Sequence, residues 1–154
     1  MAERDFEELL RLFNRHRVRY CIVGAYAVAF HARPRYTKDM DILVEPSLDN
    51  GRKIVAALHA FGFGTLKLRP EDFVRPDRIV QLGYEPLRVD LLTSIEGCSF
   101  EQIWRHRVNG RYGGQRTWFI GRDELMLNKQ RSGRRQDQLD IETLHLKKPS
   151  KKQR

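Results

Sequence analysis

Residues Tyr20 to Glu45 read Tyr-Cys-Ile-Val-Gly-Ala-Tyr-Ala-Val-Ala-Phe-His-Ala-Arg-Pro-Arg-Tyr-Thr-Lys-Asp-Met-Asp-Ile-Leu-Val-Glu, and this order decides the fold. An apolar run of strand length ends at Gly24. A small-residue segment of helical composition follows over Ala25 to Ala32, Pro34 breaks it, and a second apolar strand opens with Asp39-Met40-Asp41.

Side chains alternate faces along a strand, so Asp39 and Asp41 project to one side while Met40 and Ile42 project to the other. Two carboxylates about 7 Å apart along one strand face suit Mg²⁺ or Mn²⁺, hard cations that want oxygen ligands. A helix starting near Gly24 and Ala25 aims unpaired backbone N–H groups and its positive end at an anion. Gly24 lets that anion approach the backbone where a Cβ would intrude. A nucleoside triphosphate with its metal needs both halves of this arrangement.

The pattern resembles the DNA polymerase β-like nucleotidyltransferase superfamily, whose signature is an apolar residue, Gly, then Gly or Ser, a short gap, and Asp-apolar-Asp-apolar. Here it reads Val23-Gly24-Ala25, a gap of thirteen residues from Tyr26 to Lys38, then Asp39-Met40-Asp41-Ile42. Within the superfamily the chain is similar to the small stand-alone bacterial members, many of them partners in toxin–antitoxin or phage-defence pairs. Ala25 departs from the family's Gly or Ser and removes one hydroxyl from the phosphate turn.

The resemblance implies an α/β (α+β) nucleotidyltransferase fold, a central mixed β-sheet flanked by helices with helices at the C-terminal end. It implies Mg²⁺ or Mn²⁺ held by Asp39 and Asp41. It assigns a third metal-ligand role to Asp90, in Val89-Asp90-Leu91, which on its own would read as an acid at a solvated strand edge. Gly24 and Ala25 would cradle the phosphates, with Arg35 and Lys38 leading into the aspartates as further triphosphate contacts. Family members of the defence type carry a downstream Lys and an Asp-x-x-Asp on successive helices, matched here by Lys129 and Asp137-Gln138-Leu139-Asp140. By that resemblance Lys129 meets the triphosphate and Asp137 orients it or holds the elbow between the helices. The alternative for Asp137 and Asp140 is a solvated face with an Asp–Arg pair.

The remaining elements follow from periodicity. Phe6, Leu9, Leu10 and Phe13 recur at helical spacing between Asp5 and Arg17. Ser47 caps a helix over Leu48 to Phe61 that ends at Gly62. Phe63 to Pro76 reads as irregular, with room for one short strand or helical turn. Arg78 to Leu82 and Leu87 to Leu92 are strands joined by a turn over Gly83-Tyr84-Glu85-Pro86. Ser99 opens a short helix, a hairpin turns at Tyr112-Gly113-Gly114-Gln115, and helices over Asp123 to Arg131 and Arg134 to Leu144 close the domain.

The 154 residues suit one domain, read as 1–146, with a basic, disordered tail over 147–154. Net charge is +9, and the tail holds five basic residues and no acid, which leaves +4 on 1–146. That balance, with Arg105, Arg107, Arg111, Arg116, Arg131, Arg134 and Arg135 clustered in the second half, suits a phosphate-rich partner such as tRNA. No apolar run spans a bilayer and the N-terminus is acidic, so a soluble cytoplasmic protein is expected. Cys21 and Cys98 lack metal-motif spacing and read as buried apolar residues. His31 either reaches a phosphate or packs beside the site.

The function expected is metal-dependent transfer of a nucleoside monophosphate from a nucleoside triphosphate to a hydroxyl of tRNA or protein, within a toxin–antitoxin or phage-defence pair. The competing reading is an inactive nucleotidyltransferase-fold module that binds nucleotide, RNA or a partner protein such as a cognate toxin or antitoxin. A metal-dependent nuclease would use the same carboxylates but leaves the Gly24 turn unexplained.

Overall fold

The structure, a computed structural model, describes residues 3–32, 39–84 and 87–146. Arg33 to Lys38, Glu85, Pro86 and the 147–154 tail lie outside them, so the expectations for Arg35, Lys38 and the tail fall on residues not described.

Helix α1 (Glu3–Arg15) leads into β1 (Tyr20–Val23), α2 (Gly24–His31), β2 (Asp39–Val44) and α3 (Leu48–Phe61). Then come β3 (Ile79–Tyr84), β4 (Leu87–Leu92), α4 (Phe100–Arg105), β5 (Val108–Tyr112), β6 (Gln115–Phe119), α5 (Arg122–Ser132) and α6 (Arg135–Leu146). The sequence places these elements well. It misses the segment before β3, where two 3-10 turns at Gly64–Leu66 and Pro70–Phe73 replace the irregular stretch. It also stops β3 too early, because Gly83 and Tyr84 stay in the ladder as partners of Arg88 and Leu87.

The six strands form one mixed sheet in the order β3-β4-β2-β1-β6-β5. β1 runs antiparallel to β2 and parallel to β6, and β2 runs parallel to β4. Central strand β1 is apolar and buried on both faces, as is β2 from Ile42 onward, whereas the start of β2 carries Asp39 and Asp41 on one face. The parallel pairings need crossovers, and α3 lies in the path from β2 to β4 while α4 lies in the path from β4 to the β5–β6 hairpin.

One sheet face presents Tyr20, Ile22, Ile42 and Phe119. Phe13 of α1 meets Tyr20 edge-on and Phe30 of α2 stacks on Phe119 with ring centroids 4.2 Å apart, so α1 and α2 cover this face. The core there is anchored by the fully buried Phe6, Leu9, Leu10 and Phe13 of α1. Burial of each such side chain is worth about 1.5–3 kcal/mol, so the amphipathic stripe read from sequence is the main reason α1 docks. Ser47 accepts the Asn50 N–H as the cap of α3, and Gly62 ends that helix in the left-handed region. The hairpin β5–β6 turns at Gly113-Gly114, where Glu7 of α1 accepts the Gly114 N–H at 3.0 Å.

Candidate active site

The opposite sheet face carries the carboxylates. Strand β2 pairs with β4 so that Asp41 stands across from Asp90 and Asp39 across from Arg88. Strand alternation therefore gathers Asp39, Asp41, Arg88 and Asp90 on one face of two adjacent strands, as expected for the three acids. Val23 opposes Asp41 from the other side and hands the chain to Gly24.

Gly24 has φ +68°, and a Cβ placed on it would lie 2.5 Å from Asp41 Oδ2. The β1–α2 turn thus sits directly against the carboxylate pair. The N-cap position of α2, Val23, supplies no side-chain hydrogen bond to the first-turn N–H groups, and Gly24 and Ala25 form that first turn. Here the glycine of the sequence motif has two reasons to be glycine, a left-handed backbone and a close approach.

Arg88 is the residue the sequence reading passed over. Its Nη2 donates to Asp39 Oδ2 at 3.0 Å and its Nε to Asp90 Oδ1 at 3.0 Å, so one guanidinium bridges two of the three acids. The clue was present: Arg88 lies two residues before Asp90, which puts both side chains on the same strand face. Asp41 faces Asp90 and Asp39 without a comparable partner. Burial first, then the Asp90 and Asp39 charges, push its carboxyl up to about 6, with Lys129 and Arg134 pulling the other way.

Lys129 and Asp137 belong to a buried network beside this site rather than to a solvated face. Lys129 Nζ lies 3.0 Å from Asp137 Oδ1 and 3.1 Å from Asp140 Oδ2, and the side chains of Lys129 and Asp137 are 5% and 0% exposed. Arg134, at the start of the elbow, donates from Nε to Asp137 Oδ2 at 2.9 Å. Burial pushes the Asp137 carboxyl up, but the Arg134 and Lys129 hydrogen bonds outweigh it and hold it below the usual range. Asp137 holds the elbow, and Asp140, read from sequence as a solvated acid, is 3% exposed.

His31 is packed: it is buried, its Nε2 pairs with Ile120 O at 2.7 Å, and burial lowers its pKa. Cys21 is buried as expected, whereas Cys98 is only half-buried, since it lies in the surface loop ahead of α4. His106, given no role from sequence, pairs through Nδ1 with Glu124 Oε2 at 3.1 Å.

Among the described residues, no group of three or more His, Cys, Asp or Glu side chains stands in an arrangement that could hold a metal ion. The donor set is nonetheless all hard oxygen, and two of the three acids, Asp39 and Asp90, already gather a cation, the Arg88 guanidinium. In chemistry the residues fit a divalent ion, and in the geometry present Arg88 occupies the place between Asp39 and Asp90.

The mixed sheet, the carboxylate-bearing strands and the glycine turn together define the nucleotidyltransferase fold. Solved structures similar to the chain include two that span most of it. One is a lincosamide antibiotic adenylyltransferase, LnuA, solved with lincomycin bound, at 16% identity over 94% of this chain and 97% of that one, TM-score 0.56. The other is an antigenic nucleotidyltransferase-like protein from Paracoccidioides brasiliensis, at 16% identity over 93% of this chain and 73% of that one, TM-score 0.53. No protein-family model and no curated protein matches the chain. Among the described residues no helix is long and apolar enough to cross a membrane.

Proposed function

We propose that the protein is a nucleotidyltransferase that moves a nucleoside monophosphate from a nucleoside triphosphate to an acceptor hydroxyl. The observation that carries this reading is the packing of the Gly24 turn against Asp41, which itself stands across from Asp90. A phosphate turn and a carboxylate pair in contact have no structural purpose that a Ser or an Ala pair would not serve better, because clustered acids repel.

In this reading Asp39, Asp41 and Asp90 would hold Mg²⁺ or Mn²⁺. A bound divalent ion supplies charge stabilisation to the attacking and leaving oxygens at the α-phosphate. The chain's own groups do the positioning. The α2 first-turn N–H groups of Gly24 and Ala25 receive the outer phosphates, with Arg35 and Lys38 as further contacts. Asp90 would complete the site and assist deprotonation of the acceptor hydroxyl. Lys129 and Arg134 set the positive potential beside Asp41, both being close enough to lower its pKa.

Residues 1–146 would act as one catalytic unit and 147–154 as a basic arm. The Lys129 and Asp137-x-x-Asp140 pattern supports a cytoplasmic role in a toxin–antitoxin or phage-defence pair. The alternative, an inactive module that binds nucleotide, RNA or a partner protein, draws its support from Arg88, which neutralises two of the acids.

The test is label transfer from each α-labelled nucleoside triphosphate to total tRNA or to protein, with Mg²⁺ or Mn²⁺. We expect label on one acceptor, lost in the Asp39→Ala/Asp41→Ala variant. Nucleotide binding with no transfer to any acceptor would favour the inactive module.

A further inference from the structure

Arg107 is stacked in a corner between two tryptophans. Its guanidinium carbon lies 3.7 Å from the ring centroid of Trp104 and 4.4 Å from that of Trp118, and the two rings meet edge-to-face at 6.2 Å. The corner opens into a cleft of about 470 Å³ whose rim adds Arg17, Arg116 and Gln115 and whose lining includes no acid. That volume falls in the range of small-ligand sites. Arg107 Nη1 donates to Trp104 O at 2.7 Å, while its Nε is buried without a hydrogen-bond partner. A buried unmet donor beside exposed arginines is costly unless something polar completes it.

The position follows from register. Phe119 is the partner of Ile22, so its neighbour Trp118 faces the other way, with Cys21 and Val23. Val23 in turn opposes Asp41. Trp118 and the carboxylates therefore share one sheet face, two strands apart. At ordinary strand spacing and rise this is about 12 Å.

We propose that this cleft binds an unpaired stretch of RNA, stacking a base on the Arg107–Trp118 corner and pairing Arg17 and Arg116 with the flanking phosphates. Aromatic rings and planar guanidinium groups in a positive groove are the chemistry that holds single-stranded nucleic acid. RNA is favoured because the sheet face leads from the cleft to the carboxylates, where an acceptor hydroxyl is needed. The inference thus rests on the transferase reading and names its acceptor class.

The chain's two tryptophans both line the cleft, so their fluorescence reports on it alone. Titration of the full chain with a single-stranded RNA oligonucleotide should quench that emission. The Arg107→Gln and Arg116→Gln variants, checked for unchanged melting, should each weaken binding about 5-fold or more, as loss of a stacking or phosphate contact does. The Asp39→Ala/Asp41→Ala variant should keep RNA binding. Quenching by duplex RNA or by an acidic peptide equal to that by single-stranded RNA would overturn the proposal, as would binding that neither arginine variant changes. Transfer to an acceptor without RNA binding would sink this inference and leave the transferase standing. RNA binding without transfer would leave the RNA site in the cleft standing but overturn its role as the acceptor site along with the transferase reading.

Discussion

Asp41 is held ionised at neutral pH against its surroundings, and the sign of that cost can be worked out. Its carboxyl moves from the ordinary 3.8 to about 6 in the folded protein. Below pH about 4 it is protonated folded and unfolded alike and costs nothing. Between about pH 4 and 6 the unfolded chain ionises first, so stability falls as pH rises, and above about 6 the whole cost of up to about 3 kcal/mol is present. Asp41→Asn should therefore melt up to about 9 °C higher than the parent at pH 7.5, the difference vanishing near pH 4. A lower melting temperature at pH 7.5 would show that the charge is compensated. The relief is specific to Asp41, because Asp39 and Asp90 already share Arg88. From sequence all three acids looked alike. What separates them is Arg88, which stands across the ladder from Asp39 and two residues before Asp90 on its own strand, while Asp41 stands across from Asp90.

At the scale of elements, the strands and their order along the chain were legible because each has a plain physical signature. β1 and β2 are short apolar runs, α1 has its stripe, and Ser47, Ser99 and Gly62 punctuate the helices. The stretch before β3 was not legible, since 3-10 turns three or four residues long leave no periodicity to read. Yet that stretch is fixed tightly to α3. A Cβ on Gly51, buried in α3, would lie 2.4 Å from the backbone oxygen of Pro70. Gly→Ala in an exposed helix stabilises by up to about 1 kcal/mol. Gly51→Ala should instead destabilise by about 1–3 kcal/mol, the usual result of overpacking. A lower urea midpoint with an unchanged m-value would show it, and a raised midpoint would mean that the 3-10 turn yields freely.

For the whole molecule, the site is closed by charge as much as by packing. Lys129 on α5 binds two acids of α6, and all three are nearly fully buried. Removing one partner of such a cluster leaves charge uncompensated, at about 3–5 kcal/mol. Lys129→Met should lower stability by about that much in a denaturant titration, and the further change Asp140→Leu should restore part of it. If the double variant were no more stable than the single one, the network would be contributing little beyond Asp137. The sequence displayed Lys129 and the Asp-x-x-Asp but not their burial, because two helices packed on each other hide charges that either alone would expose.

The order of the strands also sets a timetable. As the chain leaves the ribosome, β1, β2, β3 and β4 can pair as soon as residue 92 is out, so the three acids and Arg88 assemble early. The strand that flanks β1 on its other side is β6, which joins Ile22 to Phe119 across almost a hundred residues. Only after that do α5 and α6 arrive, and Lys129 then waits for Asp137. A nascent chain would thus carry its acidic cluster, with Arg88 as its paired cation among the described residues, well before the cations of the last two helices reach it.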